Sequence, residues 1–233
     1  MWLHMDEKQH KVSDRTSEIA ERLTEVRAQI PKETNLIVVT KTFPMSDVEI
    51  LYGLGQRDFA ENRDVEGAEK SKGLPDDAKW HFQGAIQSNK LKSIVNWCDY
   101  IHSLDSLEHA QKISQLALQL DKQINCFVQI NLDRFTKVAQ STNRSGVNPL
   151  DLESFISGLE GLSGIKVVGV MGVGPLNAEP GPAFELLKKC SEQLQKSFPE
   201  ARSISAGMSG DYLEALKHGA THIRLGSSIL GTR

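Results

Sequence analysis

The chain has 233 residues, of which 39% are hydrophobic and 24% are charged, and its formal net charge at pH 7 is -3. This balance is typical of a globular domain and argues against a nucleic-acid partner, which a strongly basic surface would attract. No apolar run is long enough to span a bilayer. The N-terminus lacks the apolar core of a secretory signal, and the three scattered cysteines suit a reducing compartment, so we expect a cytoplasmic protein without membrane partners.

Helical and strand-like patterns alternate along the whole chain. The first pattern is helical, because Ile19, Leu23, Val26 and Ile30 recur at the spacing of one helix face. Eight short, mostly apolar segments then predict buried parallel strands, and a helical pattern follows each of the first seven. The predicted strands cover residues 35–41, 58–62, 80–84, 100–104, 126–132, 165–173, 203–208 and 222–226.

Eight strands that alternate with helices predict a closed (β/α)₈ TIM barrel with an extra N-terminal helix. An open, doubly wound sheet is the alternative, but it would leave edge strands, which are usually more polar than most of these segments. No Pro/Gly/Ser-rich linker interrupts the chain, so we expect a single domain over residues 1–233. The one long irregular stretch, residues 133–148, follows the fifth strand on the face where barrel loops carry function.

The first predicted strand ends in Lys41, at the face of the barrel where active sites lie. A lysine in that place is expected to be partly withdrawn from water, which favours a neutral, nucleophilic amine that can attack an aldehyde. The alternative is a structural lysine whose ammonium group reaches solvent from the end of the strand.

The seventh and eighth predicted strands run into glycine- and serine-rich turns, Gly207-Met208-Ser209-Gly210 and Gly226-Ser227-Ser228. Phosphate sites of barrels are commonly built from the loops after these two strands together with a helix N-terminus, here the one predicted near Asp211. Each turn alone is unspecific, but their coincidence at both strand ends favours a phosphate site.

Arg224 lies two residues before Gly226, so both occupy the same side of the eighth strand and Arg224 is expected inside the barrel. A structural ion pair is one reading of a buried arginine, and a ligand acceptor is the other. Pyridoxal 5′-phosphate (PLP) would use the lysine, the phosphate loops and the arginine together. A charged arginine at its pyridine nitrogen would disfavour protonation of the ring, which weakens the cofactor as an electron sink and disfavours broad carbanion chemistry.

Several longer motifs carry a resemblance to a known family. The chain resembles the pyridoxal phosphate homeostasis protein family, relatives of the barrel domain of alanine racemase. The matching stretches are VVTKTFP ending at Pro44, AENRDVEG at 60–67, WHFQGAIQSNK at 80–90, RSGV beginning at Arg144, GVMGV at 169–173, SAGMSGD at 205–211 and IRLGSSILG at 223–231.

The resemblance implies a set of cofactor-binding residues. It implies that Lys41 forms a Schiff base with PLP and that Arg224 meets the pyridine nitrogen. The phosphate would be surrounded by Ser205, Gly207, Met208, Ser209, Gly226 and Ser227. The ring side of the cofactor would be lined by Asn62, His81 and Met171. For His81 an alternative is a hydrogen-bonded histidine of the core.

The family is described as binding and supplying PLP, and as affecting vitamin B6 and amino-acid balance, without a firm catalytic activity. The chain ends at Arg233, just past the eighth strand, so we expect neither the second, β-rich domain of alanine racemase nor its dimer contact, and therefore a monomer. The tyrosines Tyr52, Tyr100 and Tyr212 are predicted away from the barrel mouth, so the second base of a racemase is also missing.

Four hypotheses follow. The first is a carrier that buffers PLP and passes it to apo forms of PLP-dependent enzymes. The second is a slow PLP enzyme, such as a racemase with Lys41 as its sole base. The third is a cofactor-free Schiff-base aldolase acting on a sugar phosphate, which gives Arg224 no role. The fourth is an interaction module without a ligand, which leaves the phosphate loops unexplained. The fold alone decides among none of them.

Overall fold

The computed structural model describes residues 2–133, 145–176 and 178–232, with side chains from residue 14 onward. Parallel strands close into a barrel in the order β1 to β8, and the pairing of β1 with β8 completes the ring. The predicted (β/α)₈ barrel is therefore confirmed, and the open sheet is wrong. The strands are β1 Asn35–Val39, β2 Asp58–Glu61, β3 Lys79–Phe82, β4 Tyr100–Leu104, β5 Ile124–Gln129, β6 Ile165–Met171, β7 Ser203–Ser205 and β8 His222–Leu225.

Helices surround the barrel. They are α1 Trp2–Gln29, α2 Met45–Gly53, α3 Asp64–Lys70, α4 Leu91–Trp97, α5 Leu107–Gln119, α6 Leu152–Leu159, α7 Gly181–Leu194, α8 Tyr212–Lys217 and α9 Ser227–Leu230, with short 3₁₀ helices at Ser71–Gly73 and Pro149–Asp151. None of the helices in the described part of the chain is both long and apolar enough to cross a membrane.

The N-terminal helix completes the outer ring of helices. Among the described residues β8 is followed by the four-residue α9, and α1 packs against both α9 and α2. Arg15 of α1 donates 2.6 Å to Asp47 of α2 and 2.9 Å to the carbonyl oxygen of Leu230 in α9. The predicted extra helix thus occupies the position that a full helix after β8 would take.

The barrel has an apolar outer core and a more polar interior. Side chains that point outward from the strands, such as Phe59, Trp80 and Phe82, pack under the helices. The interior instead holds three buried histidines, His81, His102 and His222, beside aliphatic and aromatic side chains. Bulky branched residues usually fill the interior of such a barrel. The imidazoles are polar and buried, so they need hydrogen-bond partners within the barrel.

The described end of the loop after β5 lies beside the start of α5. Residues 134–144 of the predicted long loop, including Arg144, lie outside the described residues, and beyond them Val147 pairs with Ile130. The helix after β4 is capped by the Ser106 side chain, which accepts from the N–H of His109. The neighbouring Asp105 accepts from the N–H of Gly146 at 2.9 Å, so the end of the loop returns to the start of α5.

Candidate functional site

A cavity of about 520 Å³ lies where β1 and β8 end and the loop after β7 begins. Its wall brings together Lys41, Met208, Ser209, Arg224, Gly226 and Ser227, six of the residues that sequence analysis placed at the cofactor. Three chain segments that are far apart in the sequence thus converge at one end of the barrel. The strands run parallel, so their carboxyl ends meet at that end.

Lys41 reaches the cavity from beyond its strand. Strand β1 ends at Val39, two residues earlier than expected, and Lys41 is exposed at the mouth of the barrel. The partial desolvation that we expected for this lysine is therefore wrong for the free protein. An exposed amine is accessible to an aldehyde from solution, and a bound ligand would itself have to withdraw the amine from water.

The two glycine- and serine-rich turns lie side by side. The Ser209 hydroxyl is 3.1 Å from the Ser227 hydroxyl and accepts from the backbone N–H of Ser228 at 3.4 Å. The N–H of Met208 donates to Asp211, whereas those of Ser209 and Gly210 donate to no described residue. Unpaired N–H groups and hydroxyls at helix starts suit an anion.

Gly207 shapes the first turn from behind the cavity wall. Its φ of +91° lies in the region that favours glycine, and a Cβ atom there would come within 2.7 Å of the Cα of Tyr212. A side chain at this position would therefore push the turn away from α8. The start of α9 at Ser227 adds a second helix N-terminus beside the turn, which the sequence patterns did not predict.

Arg224 is a buried cation in the wall of the cavity. Its side chain donates 2.7 Å to the Ser205 hydroxyl and 3.0 Å to the carbonyl oxygen of Gly172. Among the described residues no carboxylate lies within ion-pair distance, so the alternative of a structural ion pair is wrong for this part of the chain. Burial lowers the pKa of the guanidinium to about 10, which leaves it charged at neutral pH.

A line of hydrogen bonds runs inward from Arg224 through the barrel. The Ser205 hydroxyl is 3.0 Å from Nδ1 of His102, whose Nε2 is 2.8 Å from Nδ1 of His81. Nε2 of His81 is in turn 3.1 Å from Oδ1 of Asp58, at the start of β2. The Asp58 carboxylate accepts, so Nε2 of His81 carries a hydrogen and Nδ1 of His81 accepts from Nε2 of His102. Nδ1 of His102 then accepts from the Ser205 hydroxyl, an assignment that follows from the network when each imidazole carries one hydrogen.

This line includes His81, which the resemblance placed at the ring side of the cofactor. Its side chain is fully buried between His102 and Asp58 and does not line the cavity. It also stacks on Tyr100, the first residue of β4, with ring centroids 4.4 Å apart. These contacts are those of the alternative, a hydrogen-bonded histidine of the core, and contact of His81 with a cofactor stays a prediction.

The remaining predicted residues do not form the cavity wall. Ser205 is buried beneath Arg224, and Met171, which pairs with Ser205 across β6 and β7, is buried beside it. Asn62 directly follows β2, and its buried Oδ1 has no hydrogen-bond partner. A buried acceptor without a partner, beside the strand that leads to Lys41, fits a residue that meets a ligand, so Asn62 stays a candidate.

Further residues of the wall had no predicted role, namely Val39, Thr42, Phe43, Gly231 and Thr232. The first four lie inside the VVTKTFP and IRLGSSILG stretches, so reading those stretches residue by residue would have found them. Thr232 lies just beyond them, and no sequence pattern marks it because its position depends on how the chain turns after α9.

The buried histidines predict that acid destabilises the fold. Burial lowers the pKa of His222 to about 4 and that of His102 well below its usual range. Between pH 6.5 and about 4.5 the unfolded chain therefore binds protons that the folded chain does not, and stability falls as the pH falls.

We expect the free energy of unfolding, measured with urea, to fall by roughly 1.4 kcal/mol per pH unit for each histidine. His222→Gln should reduce that slope by about half. An unfolding free energy that stays flat over this range would contradict neutral buried histidines.

Comparisons with known proteins agree with this geometry. The family model for the alanine racemase N-terminal domain matches residues 15–233. A pyridoxal phosphate homeostasis protein of Synechocystis sp. is 38% identical over 216 residues, which cover 90% of this chain and 96% of the relative. The solved structure of PipY from Synechococcus elongatus, with PLP bound, is similar with a TM-score of 0.82 and 33% identity, over 91% of this chain and 100% of PipY.

A more distant likeness concerns the fold alone. Alanine racemase of Corynebacterium glutamicum superposes with a TM-score of 0.73 at 14% identity, over 92% of this chain and 60% of the racemase. The match of the family model, the identity to the relative from Synechocystis and the converging cavity residues agree with one another. The chain therefore belongs to the alanine racemase N-terminal domain family and, within it, to the pyridoxal phosphate homeostasis proteins.

Proposed function

We propose that the protein binds PLP as a Schiff base on Lys41 and serves PLP (vitamin B6) homeostasis by buffering the cofactor and supplying it. The observation that carries the proposal is the cavity in which Lys41, the buried charge of Arg224 and the two serine-rich turns converge. A likeness of 33% identity to PipY, whose structure holds PLP, supports the same ligand.

Each group has a distinct role in this proposal. The amine of Lys41 would hold PLP through a reversible covalent bond to its aldehyde, which suits a carrier. The N–H groups of Ser209 and Gly210 and the hydroxyls of Ser209 and Ser227 would hold the phosphate. Arg224 would donate to the ring nitrogen and keep it unprotonated, and Asn62 would contact the ring side. Bound PLP supplies a reactive aldehyde and an electron sink.

The environment of Lys41 favours a carrier over a racemase. Lys41 is exposed, so water and incoming amines can release the cofactor. None of the three tyrosines lies in the cavity wall: the Tyr52 hydroxyl donates to Asp77, the Tyr212 hydroxyl donates to Gln29, and Tyr100 stacks on His81. A proton abstracted by Lys41 would thus have no tyrosine opposite to return it.

The proposal also covers the recipients of PLP, the cell compartment and the oligomeric state. The recipients would be apo forms of PLP-dependent enzymes, and the carrier would act in the cytoplasm as a monomer of one domain, residues 1–233. The continuous ring of strands and helices from α1 to α9 supports one domain. Sedimentation of the loaded protein tests the monomer, and activation of an apo enzyme by the loaded protein tests the transfer.

Reconstitution with PLP tests the central claim. We expect a visible Schiff-base band that borohydride removes, together with a covalent adduct in the peptide that contains Lys41, located by mass spectrometry. A protein that stays colourless at saturating PLP would overturn the proposal and favour the Schiff-base aldolase, in which case borohydride would trap a sugar phosphate instead.

A further inference from the structure

The peptide that carries Lys41 is held on both sides. On one side, the Thr40 hydroxyl donates 2.6 Å to Glu61 and the Thr40 carbonyl oxygen accepts 2.7 Å from Nζ of Lys70. On the other side, the N–H of Thr42 donates 2.6 Å to Oε1 of Glu66. Lys41 itself is exposed, so its anchoring comes from its two chain neighbours rather than from contacts of its own side chain.

One buried ammonium group joins these anchors. Nζ of Lys70 lies 2.7 Å from Oε1 of Glu61, 2.8 Å from Oε1 of Glu66 and 2.7 Å from the Thr40 carbonyl oxygen. Each of the three N–H groups of the Lys70 ammonium thus has one acceptor oxygen. Lys70 and Glu61 are both buried. We call the side chains of Lys70, Glu61 and Glu66 the Lys70 cluster. It lies behind the Lys41 peptide, between the end of β2 and the face of α3 that packs against the barrel, and outside the cavity wall.

The held peptide is also strained. Thr42 has a φ of +68°, a left-handed conformation that is unfavourable for a β-branched residue. Such a conformation persists only where the surroundings impose it, and it is frequent at ligand sites. Here two hydrogen bonds hold the strained residue, one from the Thr42 N–H to Glu66 and one across the turn from the Phe43 N–H to the Thr40 carbonyl oxygen at 3.0 Å.

We propose that the Lys70 cluster positions Lys41 for its reaction with the PLP aldehyde, with Glu66 and Lys70 as positioning residues. This inference rests on the proposed function. A lysine side chain on a free loop would sample many directions, whereas a loop fixed at residues 40 and 42 restricts the amine to the cavity before the ligand arrives. The cluster touches neither the phosphate turns nor Arg224, so its effect concerns the covalent step.

The test compares two ligands on the same variants. Pyridoxine 5′-phosphate carries an alcohol in place of the aldehyde, so it can occupy the cavity but cannot react with Lys41. Glu66→Ala removes the acceptor of Thr42 and one acceptor of Lys70. We expect this variant to form the Schiff-base band at least about fivefold more slowly or with at least about fivefold weaker PLP affinity. Its affinity for pyridoxine 5′-phosphate, measured by calorimetry, should stay within about twofold of the parent protein.

Two further variants complete the test. Glu69→Ala changes an exposed carboxylate on the same helix and should leave both ligands unaffected. Glu66→Gln keeps an acceptor oxygen at the same place and should restore most of the Schiff-base formation, which also covers the case in which Glu66→Ala does not fold. Equal losses for the two ligands, or no loss for either, would overturn the positioning role. Failure of the parent protein to form the band at all would instead refute the proposed function.

Discussion

Replacing Lys41 by Ala is expected to abolish the Schiff-base band and to lower the affinity for PLP by about 100-fold or more. The variant keeps the phosphate turns and Arg224, so it should still bind pyridoxine 5′-phosphate as the parent protein does. Its thermal stability should be unchanged, because Lys41 is exposed. Visible absorbance and borohydride trapping report the band, titration calorimetry measures the affinity for each of the two ligands, and thermal unfolding measures the stability.

Lys32→Ala serves as the matched control for that variant. Lys32 is also an exposed lysine, located between α1 and β1 at the opposite end of the strand from the cavity. The control should keep the band and the affinity. A borohydride adduct of the same size in Lys41→Ala would show that another amine holds the cofactor.

Replacing Ser209 by Asp is expected to lower the affinity for both PLP and pyridoxine 5′-phosphate by at least about 100-fold. A carboxylate at this position would lie next to the bound phosphate, and two like charges about 4 Å apart near a protein surface repel each other by about 4 kcal/mol. Binding isotherms of both ligands measure the loss. The affinity should fall by the same factor for the two ligands, unlike in Glu66→Ala, because both ligands carry the phosphate.

Two controls separate this local repulsion from a change in net charge. Ser197→Asp adds the same charge at an exposed site between α7 and β7, away from the cavity, and should leave binding unchanged. Ser209→Ala removes only a hydroxyl and should cost less than about tenfold. Binding of PLP by Ser209→Asp with parent-like affinity would mean that the phosphate lies elsewhere.

The sequence by itself determined the barrel and which three strands lead into the cavity. Apolar runs of strand length that alternate with helical periodicity depend on local spacing, which the sequence displays directly. Once the strands are parallel, the residues that follow them must gather at one end of the barrel, so Lys41, Ser209 and Arg224 could be placed together. The motifs around these residues then indicated the ligand.

Only the tertiary structure decided how deep each side chain lies and which polar groups pair. His81 and Asn62 both belong to motif stretches, yet the first is locked to His102 and Asp58 deep in the barrel and the second keeps a free acceptor. The exposure of Lys41 and its anchoring by Lys70 likewise depend on where β1 ends and on how α3 packs behind it. These features are contacts between segments far apart in the chain, and their geometry is set by packing rather than by local residue spacing.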